Sequence, residues 1–253
     1  MMSFLRILMF ISLSVLLNVC AIADSRQKVS VALTSIQPPF VIDEASRHGL
    51  AYDVVDALNR HQGLYEFQAK LIPAKRLLSD HDALGEHVVA FNDELWGWKQ
   101  RGGAGSLTLT DGKDVFFSLN ETSTKDTIAA VRGFHYAFSG FDPEKLSRMP
   151  NVTVVNDEPT VLEMVIQKRT DRGITSLAFL KWISVSSPEL YSRLRIDPEE
   201  DHTYNRQFIV FPYSPVSVGI INRYLTEMKE EGILPRIYKT YGLESPPLKE
   251  RIH

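Results

Sequence analysis

Val31-Ala-Leu-Thr-Ser-Ile-Gln-Pro-Pro-Phe40, followed shortly by Gly49-Leu-Ala-Tyr-Asp53-Val-Val-Asp-Ala-Leu58-Asn59, is the stretch that decides the fold. Pro38 and Pro39 fix φ and remove two backbone donors, so a strand running from Val31 must stop there and present Phe40 at its end. Ala51, Val54, Val55 and Leu58 recur at i, i+3, i+4 and i+7, the inward face of a helix. Strand end, aromatic ring and helix start therefore converge on the carboxyl edge of a sheet, where open α/β folds take ligands.

Outward from this block the elements alternate. Tyr65-Glu-Phe-Gln-Ala-Lys-Leu-Ile-Pro73 places Tyr65, Phe67, Ala69 and Leu71 on one face of a strand. Residues 74–82 read as a short helix ended by Gly85, 88–91 as a buried strand, 101–105 as a flexible glycine-rich turn and 106–110 as another alternating strand. This β-α-β-α-β order with short links predicts a small doubly wound α/β lobe. A second unit follows. Residues 127–131 read as a strand leaving the first lobe, 151–155 as a strand, and Pro159 as the first position of a helix to about residue 169. Strands are expected at 173–176, 195–197 and 207–211, with a helix over 179–185. Ser214-Pro215 is a good N-cap and N1 pair for a long helix that buries Ile221, Tyr224, Leu225 and Met228 and is closed by Gly232.

The opening corner, with Gly49, Leu50 and Asp53 in a Gly-Phe-x-x-Asp-like helix start, resembles the extracellular bacterial family 3 type of periplasmic solute-binding protein, the amino-acid-binding branch. The ending, from Leu225 through Glu231-Gly-Ile-Leu-Pro-Arg-Ile-Tyr-Lys-Thr-Tyr-Gly242, is similar to that family's helix, glycine, short amphipathic helix and Tyr-Gly stop. The resemblance spans nearly all of residues 28–242. It implies an α/β, two-lobed type II ("Venus flytrap") fold with a discontinuous first lobe, 24–122 and 212–253, and a second lobe, 123–211. Hinge crossings are then expected near 121–127 and 208–214. It also implies capture of a small-molecule ligand for an inner-membrane permease or a sensor, without catalysis and without a cofactor.

The N-terminus agrees with export. Arg6 supplies a positive n-region, residues 7–19 are apolar, and Ala21-Ile-Ala23 is an A-x-A site, so cleavage is expected after Ala23. The apolar run falls short of the roughly 20 residues that span a bilayer. A lipoprotein anchored through Cys20 is the weaker alternative, because Leu17-Asn-Val19 lacks the small residues such a cut prefers. Cys20 is the sole cysteine, so the cut chain has neither disulfide nor thiol nucleophile. Removing residues 1–23 takes the formal charge from −3 to −4, which argues against nucleic acid or anionic lipid as partner. A periplasmic protein with no membrane insertion is expected.

Motifs for catalysis are missing from the sequence. The seven histidines show no His-x-x-x-His or His-Glu-x-x-His spacing, and residues 103–106 fail the Gly-x-Ser-x-Gly elbow and both phosphate loops. Asp197-Pro-Glu-Glu-Asp201 lacks the alternation and glycine of a calcium loop and reads as a solvated loop. Binding has better candidates. A cleft needs apolar plates and a few polar groups to orient a ligand. Phe40, Trp96 and Trp98 are the plates, although the tryptophans serve equally well as a cap on the lobe core. Arg76 could fork onto a carboxylate or phosphate, and Asn92 and Glu94 are weaker candidates of the same kind. Thr108 and Thr110 could donate hydroxyls from the first lobe. Thr160 at a helix start, with Thr175 and Ser176 at the next strand end, could do so from the second.

The family pattern breaks at its ligand clamp. Amino-acid binders carry a Thr-x-x-Arg-like motif before Phe-Ser. Here Thr110-Asp-Gly-Lys113-Asp-Val-Phe-Phe117-Ser118 offers Lys113, or Asp111 when aligned on Phe117-Ser118. The lobe-2 aspartate is replaced by Gly173-Ile-Thr175-Ser176, and Glu158-Pro-Thr160 keeps one hydroxyl of the usual helix start. The expected ligand is thus a small polar or charged organic molecule, an amino acid or derivative among the choices. Two alternatives stand beside capture: a dehydratase-type enzyme on the same scaffold, with Glu94 as its carboxylate, and a lobe pair whose ligand site has degenerated.

Overall fold

Strand β1 (Gln27–Leu33) runs into the proline corner, and the corner caps helix α1 (Leu50–His61). Pro39 and Phe40 turn their carbonyls onto the first helical amides, Leu50 N and Ala51 N, both at 2.9 Å. Gly49 makes this contact feasible: a Cβ there would lie 2.5 Å from the Phe40 carbonyl oxygen, and its φ of 143° is closed to most side chains. Ala51, Val54, Val55 and Leu58 are buried as the periodicity requires. The computed structural model describes residues 26–79, 84, 87–120, 126–245 and 248. The leader 1–23, its cleavage site and Gly85 lie outside the described residues.

The remaining elements are β2 (Tyr65–Leu71), α2 (Ala74–Ser79), β3 (His87–Asn92), β4 (Ala104–Gly105), β5 (Thr110–Leu119), β6 (Ile128–Val131), α3 (Pro143–Arg148), β7 (Val152–Val155), α4 (Glu158–Ile166), β8 (Arg172–Ser176), α5 (Leu177–Ser186), α6 (Pro188–Tyr191), β9 (Leu194–Val210), α7 (Val218–Glu230) and α8 (Ile233–Thr240). The main strand path is β2-β1-β3-β9-β5-β8-β6-β7, with β4 on β9. Each end carries the same motif, a parallel triplet whose first strand lies in the middle (β2-β1-β3 and β7-β6-β8) beside an antiparallel strand, β9 or β5.

Two cores correspond to the two ends. The first joins β1–β3, α1, α7 and α8 through residues such as Val31, Leu58, Leu225 and Tyr238. The second joins β5, β6, α4 and α5 through Phe117, Val131, Val161 and Phe179. Chain order makes the first lobe discontinuous, since α7 and α8 return to it. Trp182 on α5 packs against both cores. No helix among the described residues is long and apolar enough to cross a membrane.

Several expectations change. Core membership switches between Leu109 and Val115, and back between Ile196 and Phe208. Both switches fall along the long strands β5 and β9, and residues 121–125 of the crossing expected near 121–127 lie outside the described residues. Strand β6 is the middle of the second triplet, not a strand leaving the first lobe. The strand expected at 106–110 begins at Thr110, and the glycine-rich turn contains β4, paired to β9. Residues 195–197 and 207–211 are parts of a single strand. The acidic stretch 197–201 lies within it, since the β5 pairing shifts register there: Phe117 faces Ile196 and Val115 faces Glu200. That bulge absorbs Pro198, which has no ladder donor. Helix α7 starts three residues after the expected pair, capped by Ser217 Oγ accepting from Ile220 N at 3.4 Å.

Candidate ligand-binding cleft

In each parallel triplet the two strands flanking the order reversal end on the same crevice, and the two crevices face each other. Thr34 and Ser35 follow β1, and Asn92 ends β3. Gly133, Phe134 and His135 follow β6. These residues line a cavity of about 240 Å³ together with Gln37, Ala74, Leu78, Trp96, Trp98, Asp114, His202, Tyr204 and Arg206. That is space for about eight waters, which suits a small metabolite rather than a drug-sized ligand.

The polar groups with most leverage come from the crossing strands. His202, Tyr204 and Arg206 alternate along β9 and so share a face, and Asp114 reaches the same wall from β5. Arg206 is buried at 4 % exposure. Its guanidinium lies 4.3 Å over the Phe40 ring, and the Tyr204 and Trp96 rings are 5.2 and 5.4 Å away. Its Nη1 donates to the Phe91 carbonyl at 2.9 Å. Phe91 sits at φ 54° where the β3–β9 register shifts, and this bulge aims the carbonyl at the arginine. The Tyr204 ring lies flat on Gly112, its cross-strand partner, where a Cβ would come within 2.0 Å of the ring.

Asp114 is 5 % exposed and accepts the Tyr204 hydroxyl at 3.1 Å. His202 Nε2 stands 3.7 Å from its other oxygen. Burial pushes the Asp114 pKa up to about 6, against the opposing pull of His202, Arg206 and the Tyr204 hydroxyl. Burial works against a charged His202, yet the hydrogen bond its Nδ1 donates to Asp201 and the charges of Asp114, Asp201 and Asp93 outweigh it and raise its pKa. Asp201 also accepts the Ala137 and Phe138 amides, tying β9 to the loop that carries Phe134 and His135. Glu158 is fully buried between the lobes. Burial lifts its pKa to about 7, although the Ser176 amide and hydroxyl favour its ionised form.

The residues singled out from sequence divide into three groups. Asn92, Trp96 and Trp98 line the cavity, Trp96 being 38 % exposed and Trp98 buried against Phe211. Trp98 Nε1 donates to Asn92 Oδ1 at 3.3 Å, so it serves both wall and core. Phe40, Ser176 and Thr160 support the cleft without lining it. Phe40 is covered by Arg206; Ser176 N donates to Glu158; Thr160 Oγ1 donates to the helix-capping Asp157 at 2.5 Å. Arg76, Thr108, Thr110 and Thr175 are not in the lining. Ala74 and Leu78 take the cleft side of α2, and Arg76, about 200° round from Ala74, is exposed. The three threonines are buried, Thr110 in β5, Thr175 in β8 and Thr108 just ahead of β5. Glu94 is held by Gly105 N at 3.2 Å and Lys99 at 3.7 Å, away from the cavity. Lys113 pairs with Glu200 at 3.6 Å, and neither it nor exposed Asp111 lines the cavity.

Arg206, Asp114, His202, Tyr204 and Glu158 escaped the sequence reading. The alternation His202-x-Tyr204-x-Arg206 was the available signal, a polar and aromatic strand face obscured by the expectation of a loop at 197–201.

No protein-family model matches the sequence, and no curated protein matches it. Solved structures match in shape. The arginine-, lysine-, histidine-binding protein ArtJ from Geobacillus stearothermophilus is 17% identical, with a TM-score of 0.64 over 87% of this chain and 97% of its own. GshT of Streptococcus mutans, described in glutathione import with the cystine ABC importer TcyBC, is 14% identical, with a TM-score of 0.66 over 88% and 98%. The GluR0 ligand-binding core from Nostoc punctiforme, in complex with L-glutamate, is 16% identical, with a TM-score of 0.62 over 84% and 98%. With its twin triplets, its two through-running strands and its returning C-terminal helices, the chain has the two-lobed type II periplasmic-binding-protein fold.

Proposed function

We propose that this is an exported, periplasmic solute-binding protein without catalytic activity, which captures a small polar or charged organic molecule between its lobes. The observation that carries the reading is a cavity walled by both lobes, with an arginine and a carboxylate facing it from the strands that join them. Arg206 is the group to receive an acid function of the ligand, because a stacked guanidinium keeps a rigid fork of donors. Asp114 is the group to receive an amino function, because its buried carboxylate faces the cavity and burial outweighs the support that His202, 3.7 Å away, and Arg206 give its ionised form. Trp96, Tyr204 and Phe134 supply the apolar walls. An amino acid or derivative suits this set, and the solved structures bound to arginine, glutamine and glutamate support that class.

In this reading the hinge is the β5/β9 pair, with one lobe built on the first core and the other on the second. The closed form then serves a membrane permease or a sensor. The carboxylate weighed for a dehydratase, Glu94, is engaged elsewhere, which favours binding over turnover. The test is mass spectrometry of small molecules released on denaturing the purified protein and its Arg206→Met variant. Wild type should release one stoichiometric small acid, and Arg206→Met at least about tenfold less. Equal release from both, or none from either together with no thermal stabilisation by any amino acid or carboxylic acid, would refute the reading.

A further inference from the structure

The two lobes touch directly beside the cavity. Gln37, in the corner after β1, donates its side-chain amide to Glu158 Oε2 at 3.2 Å. Glu158 Oε1 accepts the Ser176 backbone amide at 2.6 Å, at the carboxyl end of β8. Glu158 opens the nine-residue helix α4 and is 2 % exposed. An anion at a helix start beside a strand end is favoured by the helix dipole and by unpaired amides, and this is where a crevice of the kind described holds a ligand's negative group. Here the chain's own carboxylate takes that place. Gln37 meanwhile lines the cavity, so the bridge runs along its edge.

We propose that Glu158 is a built-in surrogate for a ligand acid group, and that its hydrogen bond to Gln37 latches the lobes shut before any solute arrives. The inference rests on the two-lobed capture reading. Closure ordinarily depends on contacts that a ligand makes to both lobes, and a direct contact biases the same equilibrium with no ligand bound. A hydrogen bond to a buried carboxyl oxygen shifts such an equilibrium by up to roughly tenfold. An incoming solute then meets a cleft that must unlatch first, and its apparent affinity falls with the fraction of open molecules.

The experiment measures the distance between lobes in protein stripped of solute by unfolding and refolding, with mass spectrometry confirming the stripping. Labels are attached at Lys75→Cys on α2 and Ser147→Cys on α3, both exposed, and Cys20 is the sequence's only other cysteine. Single-molecule energy transfer should give mainly the short distance in the otherwise wild-type chain. Gln37→Ala and Glu158→Ala should raise the long-distance population about tenfold. Glu158→Gln, whose oxygen still accepts Ser176 N while its amide nitrogen donates to the flipped Gln37 side chain, should stay short. If Glu158→Ala does not fold, Gln37→Ala decides the matter. A stripped wild type as open as Gln37→Ala, or a Gln37→Ala as closed as wild type, overturns the latch. Either result leaves capture untouched if the unstripped protein still releases its solute; a latched chain that releases none retains the latch and overturns capture.

Discussion

Replacing Asp114 by asparagine should flatten the pH dependence of stability and raise stability at pH 8. Asp114 is 5 % exposed, and burial lifts its pKa from 3.8 to about 6. Between those values the native state keeps a proton that the unfolded chain has released. Wild-type stability therefore falls as pH rises from about 4 to about 6, and the loss persists above that window. The displacement corresponds to at most about 3 kcal/mol. His202 acts in the same sense, since its raised pKa contributes stability at low pH that is lost as pH climbs through the native value. Its raised value depends partly on the Asp114 charge, so the asparagine variant removes that share too. Asparagine Oδ1 can still accept the Tyr204 hydroxyl, which keeps the wall in place. Urea unfolding at pH 5 and pH 8 measures the effect. Wild type should lose about 1–1.5 kcal/mol more than Asp114→Asn across that interval, the part of the window above pH 5. Superimposable pH profiles would refute the claim that an under-compensated carboxylate is buried in the cleft.

Gly112→Ala would bring a Cβ to 2.0 Å from the Tyr204 ring, so it should lower stability by about 1–3 kcal/mol and the melting temperature by several degrees; an unchanged melting curve would contradict the packing. The two tryptophans should separate. Trp96→Ala, half-exposed at the mouth, should leave stability within about 0.5 kcal/mol of wild type and cut retained solute about tenfold or more, whereas equal retention would remove Trp96 from the wall. Trp98→Ala, buried against Phe211, should cost about 3–5 kcal/mol in urea unfolding.

What the sequence disclosed follows from the range of the forces involved. The proline corner and α1 were legible because local terms decide them: two fixed φ angles, a glycine under a carbonyl, and a 3.6-residue stripe. The closing helix α7 was legible for the same reason, through Ile221, Tyr224, Leu225 and Met228. Its start was misjudged because Ser214 and Ser217 both satisfy a local capping rule, and tertiary packing selects Ser217. The crossing strands were hidden. Pro198 and four acids in five residues look like a loop, and only pairing with β5 across a bulge makes them a strand. The cleft's central charges lay on those strands, so Arg206 and Asp114 were lost with them. Arg76 was proposed from its place at a strand end, yet a side chain's direction on a six-residue helix depends on which face the lobe covers, and Leu77 and Leu78 settle that.

The most direct measurement is a crystal structure of the protein purified under conditions that retain its solute. The account predicts density for one small molecule with an acid group on the Arg206 guanidinium and an apolar part against Trp96, touched at once by Thr34 or Asn92 from one lobe and Phe134 or His135 from the other. A solute bound on an outer face, or one held by a single lobe with Arg206 and Asp114 uninvolved, would contradict it.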